Sequence, residues 1–407
     1  MRRAVSSARL EPLTLSLTPW EAACRLRHRP GFVFLDTSLP GEQHRVSLLA
    51  SDPVGECSSL DAVEAALAHH RTPAAPDLGM PGGALLGFAP YDGAPRFGVY
   101  PDLLLFDHST DAWRGSPVAA ARLLPTAPQP GTFRCAPVGE MDRAGYVARV
   151  MRAHEYIAAG DIYQVNLSRR YRGPFSGDPF AYYAALRDAS PAPHAAWLDF
   201  GDVQIASASP ESFLQIDGNR IRTRPIKGTR PRHADPGADE RAACELLSSP
   251  KEIAELVMIT DLERNDLGKV CEYGSVRVCE LLRIEPFEQV FHLVSTVEGT
   301  LREGIGPVAA FDACFPGGSI TGAPKRRACE IIAELEPVPR GLYTGAVGWF
   351  GFDGTARFSI AIRTAVITGG EIAFHTGAGI VADSIPDAEY DETCHKAAGL
   401  LKAAMGR

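Results

Sequence analysis

The 407-residue chain is predicted to fold as an α+β protein. Three observations lead there. Apolar runs of strand length recur along the whole chain. Helical spacing appears between some of them, without strict strand–helix alternation. The 39 glycines and 32 prolines supply many turns.

Residues 1–135 read as an N-terminal region, broken by Pro/Gly-rich pieces at 72–83 and 125–131. Between these, Phe32-Val33-Phe34-Leu35 and Leu103-Leu104-Leu105-Phe106 predict buried strands. Ala84 to Phe88 predicts a strand that enters a turn at Tyr91-Asp92-Gly93. Residues 136–407 read as a second, larger domain. There Tyr146, Val147, Val150, Met151 and Ile157 recur at helical spacing up to Gly160, a helix stop. A strand over 162–167 follows, then helices over 236–247 and 251–262. Strands are expected at 275–278 and 290–297, a helix at 326–335, and strands at 346–352, 357–367 and 371–375. A last helix starts at 387.

Composition narrows the function. A net charge of −8 argues against nucleic acid or an anionic membrane as the main partner. No apolar run is long enough to cross a bilayer, and no h-region follows Met1-Arg2-Arg3, so a cytoplasmic protein is expected. Nine scattered cysteines without a C-x-x-C pair read as reduced thiols. None lies in the G-x-C-x-G setting of an amidotransferase nucleophile.

The segment Arg224-Pro225-Ile226-Lys227-Gly228-Thr229-Arg230-Pro231-Arg232 sets one lysine among three arginines and two prolines. A nucleophilic lysine must be the free amine, which cationic neighbours or desolvation favour. By itself the segment equally fits a basic turn. Glu252 and Glu255 share a helix face, as do Glu389 and Glu392. If the two helices meet, four oxygen donors converge, a set suited to Mg²⁺. The same spacing also fits solvated acidic faces. Gly317 to Lys325 reads as a small-residue loop before a helix, with free N–H groups for an anion. Gly377-Ala378-Gly379, after the strand ending at His375, would let a ligand approach the backbone. Each loop alone is more often a tight turn. Arg363, inside an apolar strand, needs an anionic partner, and a substrate carboxylate would serve.

Taken in order, these segments resemble the chorismate-utilising enzymes: anthranilate and aminodeoxychorismate synthase large subunits, with isochorismate and salicylate synthases. The resemblance runs over about 141–400. It includes Gly160-Asp161-Ile162-Tyr163-Gln164-Val165-Asn166, Ser209-Pro210-Glu211-Ser212-Phe213, Pro225-Ile226-Lys227-Gly228-Thr229 and Asp261-Leu262-Glu263-Arg264-Asn265-Asp266. It implies two large antiparallel β-sheets packed as a sandwich with helices outside, the N-terminal region adding strands to the same body.

Two positions select the branch. Water-adding relatives carry a lysine where this chain has Gln164, which cannot act as a base. Anthranilate synthases read P-I-A-G-T where this chain has P-I-K-G-T, the form typical of aminodeoxychorismate synthase. The resemblance therefore implies Lys227 as nucleophile and Glu211 as general acid. It implies Mg²⁺ at Glu255 and Glu392, with Glu252 and Glu389 close by. Gln164, Gly228, Thr229, His292, Ser319, Tyr343, Arg363, Gly377, Ala378, Gly379 and Lys396 match substrate-contacting positions. The implied reaction is amination of chorismate at C4, toward p-aminobenzoate and folate, with ammonia from a separate glutamine amidotransferase. The alternatives are amination at C2 and a silent subunit that only binds chorismate or a partner. Leu256 replaces a polar neighbour of the metal helix in many relatives. The stretches Leu35-Asp36-Thr37-Ser38 and Pro193-His194-Ala195-Ala196-Trp197 fit the relatives' tryptophan pocket poorly, so tryptophan binding is not expected.

Overall fold

The computed structural model describes residues 10–41, 45–73, 80–286 and 290–406. Met1-Arg2-Arg3 and the middle of the 72–83 piece lie outside them. Two antiparallel sheets dominate. The first has thirteen strands, ordered along its main path Glu11–Leu13, Ala112–Gly115, Leu103–Asp107, Val46–Ala50, Val33–Asp36, His194–Asp199, Val203–Ser209, Thr364–Thr368, Glu371–Ile380, Gln164–Gly177, Val138–Gly139. The second has ten, and its main path runs from Ile226–Pro231 through Val290–Thr300, Arg220–Thr223, Ser212–Asp217, Ala356–Ile360, Ala346–Gly351, Ala84–Ala89 and Arg96–Tyr100 to Glu56–Cys57. Each sheet takes strands from before and after residue 135.

Side-chain alternation explains why many strands read as unbroken apolar runs. In His194–Asp199, Ala195 and Trp197 enter a core shared with helices Pro19–Leu26, Pro179–Ala189 and Pro386–Ala404. Ala196 and Leu198 turn the other way, toward Leu86, Val347 and Trp349 of the second sheet. The second sheet's far face packs Leu85, Phe97, Phe350 and Phe358 against Val63, Phe311 and Leu267 from helices. Layers therefore run helix, sheet, sheet, helix. Among the described residues no helix is long and apolar enough to cross a membrane.

Several boundaries differ from the sequence reading. The 357–367 strand is two strands: Ala356–Ile360 lies in the second sheet and Thr364–Thr368 in the first. Arg363 stands in the crossover between them with φ +50°, not inside a strand. The strand ending at His375 continues to Ile380, its ten residues paired with residues 165–174 of Gln164–Gly177. Gly377-Ala378-Gly379 is therefore strand, not loop. The strand at 275–278 is Arg277–Pro286, which covers one edge of Val290–Thr300. Helices Pro236–Ser248 and Pro250–Gly268 abut at Ser249. Ser249 caps the second through its hydroxyl, and Pro250 enters the first turn, where no N–H is required.

Candidate active site

A cavity of about 1000 Å³ opens beside the paired crossovers between the sheets. One crossover joins Val203–Ser209 to Ser212–Asp217 and carries Glu211; the other carries Arg363. The two are stitched together: Ile360 N–H donates to the Glu211 carbonyl and Ala208 N–H to the Arg363 carbonyl, both at 3.0 Å. Each residue directly precedes a strand, Glu211 before Ser212–Asp217 and Arg363 before Thr364–Thr368, and both line the cavity.

Lys227 enters from Ile226–Pro231. Register against Val290–Thr300 slips between Lys227 and Thr229, and Gly228 takes the slip with φ +70°. A Cβ on Gly228 would lie 2.6 Å from Leu246 Cδ1 and 3.0 Å from Glu252 Oε2, so no larger residue fits. Lys227 Nζ donates to the Ser319 carbonyl at 3.0 Å. The three neighbouring arginines are not turned on this amine. Arg224 pairs with Glu285, Arg232 forks onto Asp239 at 2.9 Å, and Arg230 faces Glu252 at 3.6 Å. The expectation of a cationic surround is therefore corrected: the Lys227 charge acts on Glu211, Glu255 and Glu392.

Glu211 is 6% exposed, and its Oε1 has no hydrogen-bond partner. Burial pushes its carboxyl above the usual carboxylate range, against the opposing charge of Lys227. His292 accepts or donates at Nδ1 to the Thr229 hydroxyl (3.1 Å), and burial lowers its ring to about 4, so it is neutral at pH 7. Tyr343 stacks on His375 with ring centroids 5.4 Å apart.

Gly377 and Gly379 line the cavity with backbone alone. A Cβ on Gly377 would come within 2.6 Å of Asn166 Oδ1 and 2.7 Å of Tyr343 Oη. Strand alternation turns Ala378 to the opposite face, into a core with Val165, Leu167 and Ile331. Gln164 is fully buried under Gly379, both amide atoms without a partner. Lys396 bonds the Gly377 carbonyl at 3.0 Å and Glu392 at 2.6 Å.

Glu252, Glu255 and Glu392 line the same cavity from helices Pro250–Gly268 and Pro386–Ala404. Glu389 stands behind them, accepting from the Ser384 hydroxyl at 2.7 Å and facing Lys251 at 3.6 Å. Val257, on helix Pro250–Gly268, is 43% exposed. Among the described residues no three acidic, histidine or cysteine side chains converge tightly enough to hold an ion. Lys251, Lys396 and Arg230 instead lie 4.0, 2.6 and 3.6 Å from Glu255, Glu392 and Glu252. The donor chemistry still fits a hard divalent cation: all donors are carboxylate oxygens, and buried Glu255 Oε1 lacks any hydrogen-bond donor. Burial raises the Glu255 carboxyl, as a site needing a cation should.

Gly317 to Lys325 leads into helix Lys325–Leu335. Lys325 is bound to Asp266 at 2.5 Å and to the Cys314 and Pro316 carbonyls, and Pro324 is the helix N-cap. The loop's contribution is Ser319. The sequence reading gave no role to Lys251, His375 or Thr376, which line the cavity. Lys251 adjoins Glu252 in sequence, which was its only signal. A second cavity, about 300 Å³, lies between the sheets and is lined by Asp36, Thr37, His194, Arg224 and Trp349.

Residues 81–402 match the chorismate binding enzyme family. Anthranilate synthase component 1 of Thermus thermophilus is 51% identical over 264 residues, 65% of this chain and 57% of that protein. The Streptomyces coelicolor anthranilate synthase component 1 is 39% identical across 92% of this chain and 83% of its own length. Aminodeoxychorismate synthase component 1 of Bacillus subtilis is 48% identical over 259 residues, 64% of this chain and 55% of that protein. The matches to the Thermus and Bacillus proteins thus span less than two thirds of their length. Among solved structures, anthranilate synthase component I from Streptococcus pneumoniae superposes with a TM-score of 0.76 at 29% identity, over 89% of this chain and 93% of that one. The matched span, the crossover-bound cavity and its ordered motifs lead to one conclusion: the chain belongs to the family of chorismate binding enzymes.

Proposed function

We propose that the chain is the aminating component of an aminodeoxychorismate synthase, converting chorismate and ammonia into 4-amino-4-deoxychorismate and water. The observation that carries this reading is that Lys227, Glu211, Glu252, Glu255 and Glu392 all line one cavity. An amine nucleophile and a buried acid are the two groups a stepwise displacement requires.

Lys227 Nζ attacks C2, the diene shifts, and the C4–O bond breaks. Glu211, whose carboxyl burial raises above the usual range, gives its proton to the departing oxygen, which leaves as water. Ammonia then forms the C4–N bond, the double bonds shift back and the C2–Nζ bond breaks. The Glu211 carboxylate takes the proton that the incoming nitrogen sheds. Arg363 and Lys396 supply positive charge for the substrate carboxylates, and the Gly377 and Gly379 backbone lets the ring approach closely. Glu255 and Glu392, with Glu252 beside them, would hold Mg²⁺, and Glu389 would steady Lys251 behind them. Bound there, the ion would neutralise the ring carboxylate and draw electron density from C2. Ammonia would come from a separate glutamine amidotransferase, as the relatives' component naming supports.

A second reading, amination at C2, is favoured by the names of the Thermus and Streptomyces relatives. Product identity separates the two. Incubation with chorismate, Mg²⁺ and ammonium, followed by an aminodeoxychorismate lyase, yields p-aminobenzoate under the first reading. Anthranilate formed without lyase would establish the second. Binding without turnover at saturating ammonium would leave only a silent subunit.

A further inference from the structure

The reaction above gives Lys251 no step, although it lines the cavity among the glutamates. It is the second residue of helix Pro250–Gly268, after the Ser249 cap. A helix N-terminus carries partial positive charge, so a cation in the first turn does not suit the helix. The carboxylates explain its place. Lys251 Nζ lies 3.6 Å from Glu389 Oε1, on helix Pro386–Ala404, and 4.0 Å from Glu255 Oε1, on its own helix. Both separations exceed hydrogen-bond length, so charge alone holds the ammonium between the two helices.

The other two cations beside the glutamates are also tied to backbone. Lys396 donates to the Gly377 carbonyl at 3.0 Å, and Arg230 to the Thr229 carbonyl at 2.9 Å. Lys251 has no such anchor among the described residues, and its side chain is 49% exposed. It is free to swing. Its two carboxylates differ in kind. Glu255 Oε1, the oxygen that Lys251 faces, is buried without a hydrogen-bond donor. Glu389 is 3% exposed behind the cavity, and its Oε1 already accepts from the Ser384 hydroxyl at 2.7 Å. One partner suits an ion; the other is a fixed charge behind it.

We propose that Lys251 is a displaceable internal cation, competing with the divalent ion for Glu255 and withdrawing onto Glu389 when the ion binds. This rests on the divalent site of the proposed function. Mg²⁺ takes carboxylate oxygens at about 2.0–2.1 Å, and an ammonium left facing the same Glu255 oxygen would repel it. Glu389 balances the ammonium once Glu255 is engaged. Lys251 thus sets how tightly the site takes its ion, and Glu389 acts through Lys251 rather than on the metal.

Calorimetric titration with Mg²⁺ alone, without chorismate or ammonium, tests this apart from the reaction. Lys251→Met should bind Mg²⁺ more tightly, on the order of tenfold, because one repelling charge is gone. Glu389→Gln should weaken binding while Lys251 is present, again on the order of tenfold. In the double variant Lys251→Met/Glu389→Gln that loss should vanish, as it does when two residues act as one unit. Unchanged or weaker affinity in Lys251→Met overturns the proposal. So does a Glu389→Gln loss of equal size with and without Lys251, which would make Glu389 a ligand in its own right. The rise in melting temperature on adding Mg²⁺ gives the same comparison independently. Mg²⁺ binding by neither the unaltered protein nor Lys251→Met would bring down the metal site, and this proposal with it. The predicted pattern in a protein that aminates nothing would refute the function and leave the cation exchange standing.

Discussion

The Lys227 amine donates to the main-chain carbonyl of Ser319 across 3.0 Å, joining the edge strand Ile226–Pro231 to the turn Gly318–Ile320. The turn is itself pinned, by the Thr321 hydroxyl to the Gly317 carbonyl at 2.9 Å. A flexible lysine side chain is thereby aimed by backbone, which no side-chain substitution at Ser319 removes.

Lys227→Met should therefore lower kcat for amination by on the order of 10³-fold, about 4 kcal/mol in the barrier. Chorismate binding, followed by fluorescence or calorimetry, should change little, because Arg363 and Lys396 remain. A variant with unaltered turnover removes the nucleophile assignment.

Glu211→Gln keeps the shape and loses the proton, and should cost about 10²–10⁴-fold in kcat. The sign of the pH dependence follows from burial. Because burial raises this carboxyl, its acid form persists above the ordinary carboxylate range, and the rate should fall on the alkaline side as it ionises. An acid-side limb in its place would show that the carboxylate, not the acid, is needed.

Chelation should abolish turnover, and added Mg²⁺ should raise the melting temperature, since an ion bound only by the folded state stabilises it. Glu255→Ala and Glu392→Ala should each remove that increment. Persistence of the increment in both variants would place the ion elsewhere.

Stability has its own pressure point. Arg340 and Glu336 form an ion pair at 2.7 Å with side chains 1% and 4% exposed, and Glu336 also accepts from Ser168 N–H at 2.8 Å. Arg340→Met leaves Glu336 buried and unpaired, and should cost about 3–5 kcal/mol in denaturant unfolding. A loss under about 1 kcal/mol would mean that water or rearrangement replaces the guanidinium.

How much of this was legible in the sequence varies by residue. Lys227 and the two glutamate pairs could be found because their signals are local: a proline-flanked segment, and spacing on one helix face. Arg363 was misplaced because Phe358, Ile360, Ala365 and Ile367 read as one apolar strand with no Gly or Pro between them. The break there is set by the sheets the two halves join, which is tertiary information. Gly377 and Gly379 carried turn chemistry locally, yet their lack of Cβ serves close packing against Asn166 and Gln164 within a strand. The 277–286 strand was truncated because Arg277, Glu280, Arg283 and Glu285 mask its alternation at an exposed edge. The arginines around Lys227 were seen, but their carboxylate partners Glu285, Glu252 and Asp239 are distant or unmarked in sequence.

The central claim is a covalent bond between Lys227 and the substrate ring. Intact-protein mass spectrometry after mixing with chorismate and Mg²⁺, in the absence of ammonia, tests it most directly. The account predicts an added mass of chorismate less one water, mapped by proteolysis to the Lys227 peptide and absent in Lys227→Met. Rapid amination with no such adduct at any time, in protein whose Lys227→Met variant is equally active, would contradict it.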